Sequence, residues 1–231
     1  ITPQCFSTDV TITGAGVING TNGDDVILGS AGDDIINGKG GNDLICGGGG
    51  ADLIHGNAGD DTISGDGGDD TIYGDSGNDE VAAQDQAGDD GDDTIYGGSG
   101  DDVFHDFEGA NWADGGLGID SVEVTGSANG GSGGDSYVYG VETAEGLRDG
   151  YANGGSGNDG YVEVYGGVAE GGSGGEAVIS YHAGDEVRGN SGNDHLYAYA
   201  DNITLNGGSG TDICHSNGYS GITFISCETQ L

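Results

Sequence analysis

The amino-acid sequence predicts an all-β fold, a solenoid of parallel strands, and three observations carry that expectation. Glycine supplies 55 of the 231 residues and proline only one, a bias that belongs either to a disordered chain or to a strictly periodic one. The chain is periodic: cut every nine residues from Gly20 it reads GTNGDDVIL, GSAGDDIIN, GKGGNDLIC, GGGGADLIH, GNAGDDTIS, GDGGDDTIY and GDSGNDEVA without a gap. Each unit places a large apolar residue at its eighth position, Ile27, Ile36, Ile45, Ile54, Ile63, Ile72 or Val81, as a short strand facing a narrow interior requires.

Each part of the unit has a physical job. Glycines at positions one and four permit the positive φ angles of a sharp turn. The aspartate at position six aims its carboxylate into that turn, and the aliphatic residue two places later turns inward.

Beyond Ala82 the register breaks for AQDQA, an insertion small enough for a bulged turn, and resumes with GDDGDDTIY from Gly88 and GGSGDDVFH from Gly97. DFEGANWAD from Asp106 keeps the length but not the signature, which returns in GGLGIDSVE from Gly115. Thereafter the glycine motif recurs only at Gly130, Gly154, Gly171, Gly189 and Gly207, at spacings of 15, 24, 17, 18 and 18 residues counted from Gly115. Eighteen residues are two units, one complete coil. One edge of the solenoid therefore runs through the turns at Gly20, Gly38, Gly56, Gly74, Gly97, Gly115, Gly130, Gly154, Gly171, Gly189 and Gly207, and the other keeps the motif only at Gly29, Gly47, Gly65 and Gly88. The expected organisation is an N-terminal cap or assembly segment over 1–19, a regular two-edged region over 20–105, a one-edged region over 106–224 and a C-terminal cap over 225–231. Eleven coils at about 4.8 Å per stacked strand make a rod roughly 50 Å long.

Charge narrows the partners. Forty-one acidic residues face three basic ones, Lys39, Arg148 and Arg188, for a formal charge of -38. Nucleic acid and anionic membrane surfaces are poor partners for such a chain, and the compensating charge has to come from cations in solution. No run of apolar residues is long enough for a transmembrane helix. Methionine is absent, so Ile1 is expected to be a mature N-terminus left by a cleaved leader.

The units resemble the RTX, or hemolysin-type, calcium-binding nonapeptide GGxGxDxUx, in which U is a large apolar residue. That resemblance implies a right-handed parallel β-roll, or β-solenoid, of about eleven coils with calcium-binding glycine-rich turns, each ion lying between turns of neighbouring coils. Calcium takes six to eight oxygens, more than one turn supplies. Carried onto this chain, the metal ligands are Asp25, Asp43, Asp61, Asp79, Asp102, Asp120, Asp135, Asp159, Glu176, Asp194 and Asp212 on the long edge. On the short edge they are Asp34, Asp52, Asp70 and Asp93. Glu176 departs from the motif, and its extra methylene is expected to shift or weaken the site there. The acids at position five, such as Asp24, Asp33, Asp60, Asp69, Asp92 and Asp101, read as solvated charge. Without calcium the stacked carboxylates repel one another, and the chain should resemble a disordered polyanion.

Four cysteines in an apparently exported chain favour disulfides over zinc, since no close pair exists. Three pairings are possible; the position of two cysteines near each end favours Cys5 with Cys46 and Cys214 with Cys227. Passengers of type I secretion in this family are usually poor in cysteine, so a general secretory route fits better. VFHDFEGANW, residues 103 to 112, gathers Phe104, Phe107 and Trp112 where a turn motif is missing, and reads as a bulged loop packed on the roll or a partner site. Nine of the eleven tyrosines lie from Tyr137 onward; their in-or-out phase is ambiguous at Tyr161 and Tyr165, and an altered edge and core filling is preferred over exposed stacks for a partner. The five histidines follow no metal-ligand spacing.

No insertion is long enough to build a catalytic pocket, and the acidic pairs recur too regularly to be catalytic, so an enzyme is not expected. The favoured reading is a secreted, extracellular or cell-surface structural protein, a calcium-stiffened rod working as a homo-oligomer or end-to-end filament. The alternative, implied by the resemblance, is a calcium-dependent accessory or secretion module of a secreted enzyme or adhesin.

Overall fold

A computed structural model of the chain describes residues 4–82, 91–141 and 150–231. Short strands form where the units carry alternating residues, Leu44–Gly49, Leu53–Ala58, Thr62–Gly67 and Thr71–Ser76 among them, and no helix occurs among the described residues. Neighbours along the chain do not pair as hairpins. Each strand instead lies parallel to the strand one coil away, Ile45 beside Ile63 and Ile54 beside Ile72. One antiparallel pair, Gln4–Cys5 with Thr8–Asp9, precedes the stack.

The inward residues make two columns. One runs Ile27, Ile45, Ile63, Val81, Phe104, Val122, Val138, Val162, Val178, Leu196 and Cys214. The facing column begins Ile18, Ile36, Ile54, Ile72, Ile95 and continues with the smaller Ala113, Ala128, Ala152 and Ala169. All these side chains are buried. The stacking order of the long edge is the one the spacing predicts, because each first-position glycine from Gly20 to Gly189 meets the carbonyl of the next glycine in that series. AQDQA and Gly88 lie outside the described residues. On either side of them the pairing step grows from 18 residues to 23, with Thr71 beside Thr94, so the five extra residues leave the stack in register.

Two expectations are corrected. Residues Val103–Gly118 form a strand and not a loop, and the expected bulge is present as a register shift between Asp106 and Asn111. Phe104 sits fully buried in the aliphatic column, and Trp112 rests tilted against Tyr96 at 5.1 Å between ring centroids. The tyrosines of the second half point outward: Tyr161 is 53% and Tyr165 is 47% exposed. For Tyr137, Tyr161 and Tyr165 the cause is one extra residue after Asp135 and Asp159, where Ser136 and Gly160 shift the alternation so that Val138 and Val162 turn inward. Tyr181 and Tyr199 stack at 5.2 Å with planes 15° apart, as do Tyr197 and His215 at 4.5 Å and 7°. Rings stacked along the rod cover one another's faces, so they brace the sheet and present mainly edges to solvent.

Both disulfides join the pairs favoured by position, Cys5 with Cys46 and Cys214 with Cys227, with Cα atoms 5.8 and 6.0 Å apart.

Candidate metal centre

The sixth-position carboxylates line the inside of the turns, and nearly all are buried. Each reaches across to its neighbour. The amide of Asp43 donates to Asp61 Oδ1 at 2.8 Å, and the amide of Asp61 donates in turn to Asp79 Oδ1 at 2.8 Å. This ladder runs from Asp25 through Asp43, Asp61, Asp79, Asp102, Asp120 and Asp135 to Asp159. It resumes from Glu176 through Asp194 to Asp212. The short edge repeats it from Asp34 through Asp52 and Asp70 to Asp93. The ladder is weakest between Asp159 and Glu176, where the longer side chain lies near the Asp159 amide and the Asp194 carboxyl but makes no well-formed hydrogen bond to either.

Only one oxygen of each carboxylate takes part. The other, Oδ2, is buried without a hydrogen-bond partner in Asp43, Asp52, Asp61, Asp70, Asp79, Asp102, Asp120, Asp135, Asp159, Asp194 and Asp212. Those oxygens face a cradle. A Cβ built on Gly38 would strike Asp43 Oδ2 and the carbonyl oxygen of Gly56, 2.7 Å away. The same pair, the unit's own carboxylate and the next coil's first-position carbonyl, crowds Gly47, Gly56, Gly74, Gly97, Gly115, Gly130, Gly154 and Gly189. Glycine is required at position one because any side chain would fill this space.

Burial in such a place opposes ionisation. It pushes Asp61, Asp70 and Asp102 up to about 7 and Asp52, Asp79, Asp120 and Asp159 up to about 6, with neighbouring acids adding to the rise and the amide donations opposing it. Burial and the adjoining Asp194 carboxyl push Glu176 up to about 9. Burial, with Asp106 and Asp70 nearby, pushes Asp93 up to about 8. A row of inward acids with one oxygen bonded and one orphaned is the donor set a hard cation takes. Among the described residues no three His, Cys, Asp or Glu side chains converge on one point. An ion held here therefore draws much of its shell from backbone carbonyls.

Position five carries a second ladder that the reading of solvated charge misses. Asp24 Oδ1 accepts the amide of Asn42 at 2.9 Å, and Asp60 Oδ1 accepts that of Asn78 at 2.9 Å. Asp33, Asp69, Asp92 and Asp101 accept from the next coil in the same way. The inner acids accept an amide from the preceding coil and the outer acids one from the following coil, so each turn is stitched in both directions.

Three ladder residues were invisible in the motif. Asn111 accepts the Asp93 amide at 2.8 Å and Glu228 Oε2 accepts the Asp212 amide at 2.6 Å. Asp185 stands at the sixth position of the second edge, accepting from the amides of Gly166 and Gly167 and, at 2.5 Å, from the Ser180 hydroxyl. Its oxygens are occupied. A neighbouring cavity of about 350 Å³ is lined by Gly166, Gly167, Val168 and residues 182 to 186, and the buried Ser180 hydroxyl is spent on Asp185.

The family model of the RTX calcium-binding nonapeptide repeat matches the chain in four copies, residues 11–45, 47–81, 87–122 and 183–214, together more than half of its length. No curated protein matches it.

Proposed function

The chain belongs to the RTX calcium-binding nonapeptide-repeat family, and from that premise we propose that it is an extracellular structural rod whose turns are held together by calcium and whose ends join it into filaments or a surface matrix. The observation that carries the calcium reading is the row of orphaned Oδ2 atoms, each facing a cradle that only glycine leaves open. The proposed ligands are Asp43, Asp61, Asp79, Asp102, Asp120, Asp135, Asp159, Glu176, Asp194 and Asp212 on the long edge and Asp52, Asp70 and Asp93 on the short edge, with first-position carbonyls of the adjoining coils. Bound calcium supplies the positive charge that a chain of -38 lacks. Asp25 and Asp34 head the two rows.

The filament reading rests on the first and last strands described in the stack. Of 41 acidic residues, only Asp9 lies in residues 1–19 and only Glu228 in residues 213–231, and neither stretch has a basic residue. Ile12–Thr13 and Val17–Asn19 pair only with the following coil, and Thr223–Ile225 and Thr229–Gln230 only with the preceding one, among the described residues. Flanks of like charge repel laterally, whereas nearly neutral open strand edges can pair. A head-to-tail contact that does not close propagates as a fibre. The absence of free thiols among the described residues supports an oxidising, extracellular setting. No helix is long and apolar enough to cross a membrane among the described residues.

Circular dichroism during a calcium titration tests the first part: a metal-stripped chain should lack most of its β-structure at neutral pH and gain it at about 0.1 to 1 mM calcium, the range of extracellular modules. A β-rich spectrum indifferent to exhaustive chelation refutes it. Electron microscopy and light scattering in calcium test the second; strictly monomeric rods at high concentration refute the filament.

A further inference from the structure

The first coil differs from the rest in its turns. From Lys39 onward along the long edge, the second-position residues Lys39, Asn57, Asp75, Gly98 and Gly116 all have positive φ, as do Gly48 and Asp66 on the short edge, the seven values lying between 68° and 109°. Thr21 and Ser30, the second-position residues of the first coil, do not. With that backbone they close on their own carboxylates. The Thr21 amide and hydroxyl donate to Asp25 Oδ2 at 2.7 and 2.9 Å, and the Ser30 amide donates to Asp34 Oδ2 at 2.7 Å. The oxygens orphaned in later coils are occupied here. At the head of the long row the carbonyl of Gly20 has no preceding cradle to face, and the Lys39 ammonium donates to it at 2.6 Å.

We propose that the first coil, residues 20–37, folds without a metal ion, its Thr21, Ser30 and Lys39 donors standing where calcium stands in later coils, and serves as the preformed edge on which calcium-loaded coils assemble. The inference rests on the calcium reading above. The disulfide from Cys5 to Cys46 spans this coil and closes a loop of 41 residues, which restricts the unfolded chain around it. In a solenoid each coil contacts only its neighbours, so an ordered first coil lowers the cost of starting the second. Lys39 is the one basic residue of the regular repeats, and it lies where the ion row begins.

Hydrogen exchange of the whole oxidised chain at pH 8, in calcium and in chelator, tests this. In chelator, peptides covering 20–37 should exchange at least about tenfold more slowly than those covering 53–82, the size of effect a charge-assisted hydrogen bond carries. In the triple variant T21P/S30P/K39M, which removes both amide donors together with the Thr21 hydroxyl and the ammonium, that protection should vanish in chelator. Calcium should preserve protection of the later coils in the variant, which shows that it still folds. Uniformly fast exchange in chelator, with protection in calcium, overturns the metal-free coil and leaves the calcium reading standing. Protection of 20–37 that survives in the triple variant assigns it to the disulfide and overturns the role of the three donors. Uniform protection in chelator overturns the calcium reading itself.

Discussion

Replacing Asp61 by Asn should act in opposite directions with and without calcium. Asp61 is fully buried, its Oδ1 accepts the Asp43 amide at 2.8 Å, and its Oδ2 has no partner. Asparagine keeps the accepting oxygen and removes the charge. Burial pushes the Asp61 carboxyl from 3.8 up to about 7, and each pKa unit corresponds to about 1.4 kcal/mol. Because the folded value is raised, the stability of the protonated form is fully present below the unfolded pKa and is lost as pH rises through about 7. At pH 8 without metal, the ionised carboxylate then opposes folding by about 2–4 kcal/mol once partial relaxation is allowed. D61N should relieve that opposition, so in metal-stripped buffer its β-signal should appear at a higher pH than in the parent as the solution is acidified. In calcium the variant loses a charged ligand, and its calcium midpoint should rise about tenfold or more, since ligand charge tunes affinity in such sites. Circular dichroism against pH without metal, and against calcium at pH 8, reads both arms. Destabilisation of the same size in both arms refutes the reasoning, because it makes Asp61 a hydrogen-bonding residue and nothing more.

Asp60→Ala, which removes the acceptor of the Asn78 amide, should cost about 1 kcal/mol in urea unfolding and leave the calcium midpoint where it was; Asp61→Ala should move it, and equal shifts for the two would show the ligand register to be wrong. Gly56→Ala places a methyl group against Asp61 Oδ2 and the Gly74 carbonyl and should abolish calcium-induced folding of the middle coils in hydrogen exchange. Gly40→Ala, whose nearest neighbour lies 3.6 Å away, should change little. Peptide mapping without reduction should recover Cys5 with Cys46 and Cys214 with Cys227; a crosslink between the two ends of the chain contradicts the fold.

The parts of the fold legible in the sequence are those set by the period. An aliphatic residue at every eighth position and a glycine at every first leave one way to stack the coils, and the order of the long edge and the Ile27 to Val122 column follow from counting. Counting fails where one residue is added without a change of composition. Ser136 and Gly160 each reverse the alternation for the strand that follows, so Tyr137 and Tyr161 turn outward for a reason no propensity announces. The position-five ladder was hidden for a different reason: an acid that caps an amide 18 residues away reads like any solvated acid. Asn111, Asp185 and Glu228 escaped because the motif tests for glycine at position one, and their units have Asp106, Ser180 and Thr223 there or no unit at all.

The residue at position one decides what becomes of the cradle. Where it is glycine, the space stays open and the acid at position six keeps an orphaned oxygen, as at Gly56 and Asp61. Where it is Ser180, the hydroxyl enters the same space and donates to Asp185, so the protein itself satisfies the carboxylate. Elsewhere on that edge the stack proceeds from Asp106 to Val124, Gly140, Val164, Ser180 and Ala198, and apolar side chains occupy the interior while Ile203 takes the place of the acid. Filling the edge with buried methyl groups gives a contribution that needs no ion, at about 25 cal/mol per Å² of apolar surface removed from water. The two halves of the rod therefore hold the second edge by different means, open glycine turns suited to cations in the first and packed side chains in the second. The long edge retains its glycines and inner acids to Gly207 and Asp212, so lowering calcium should loosen both halves along that edge and the first half along two.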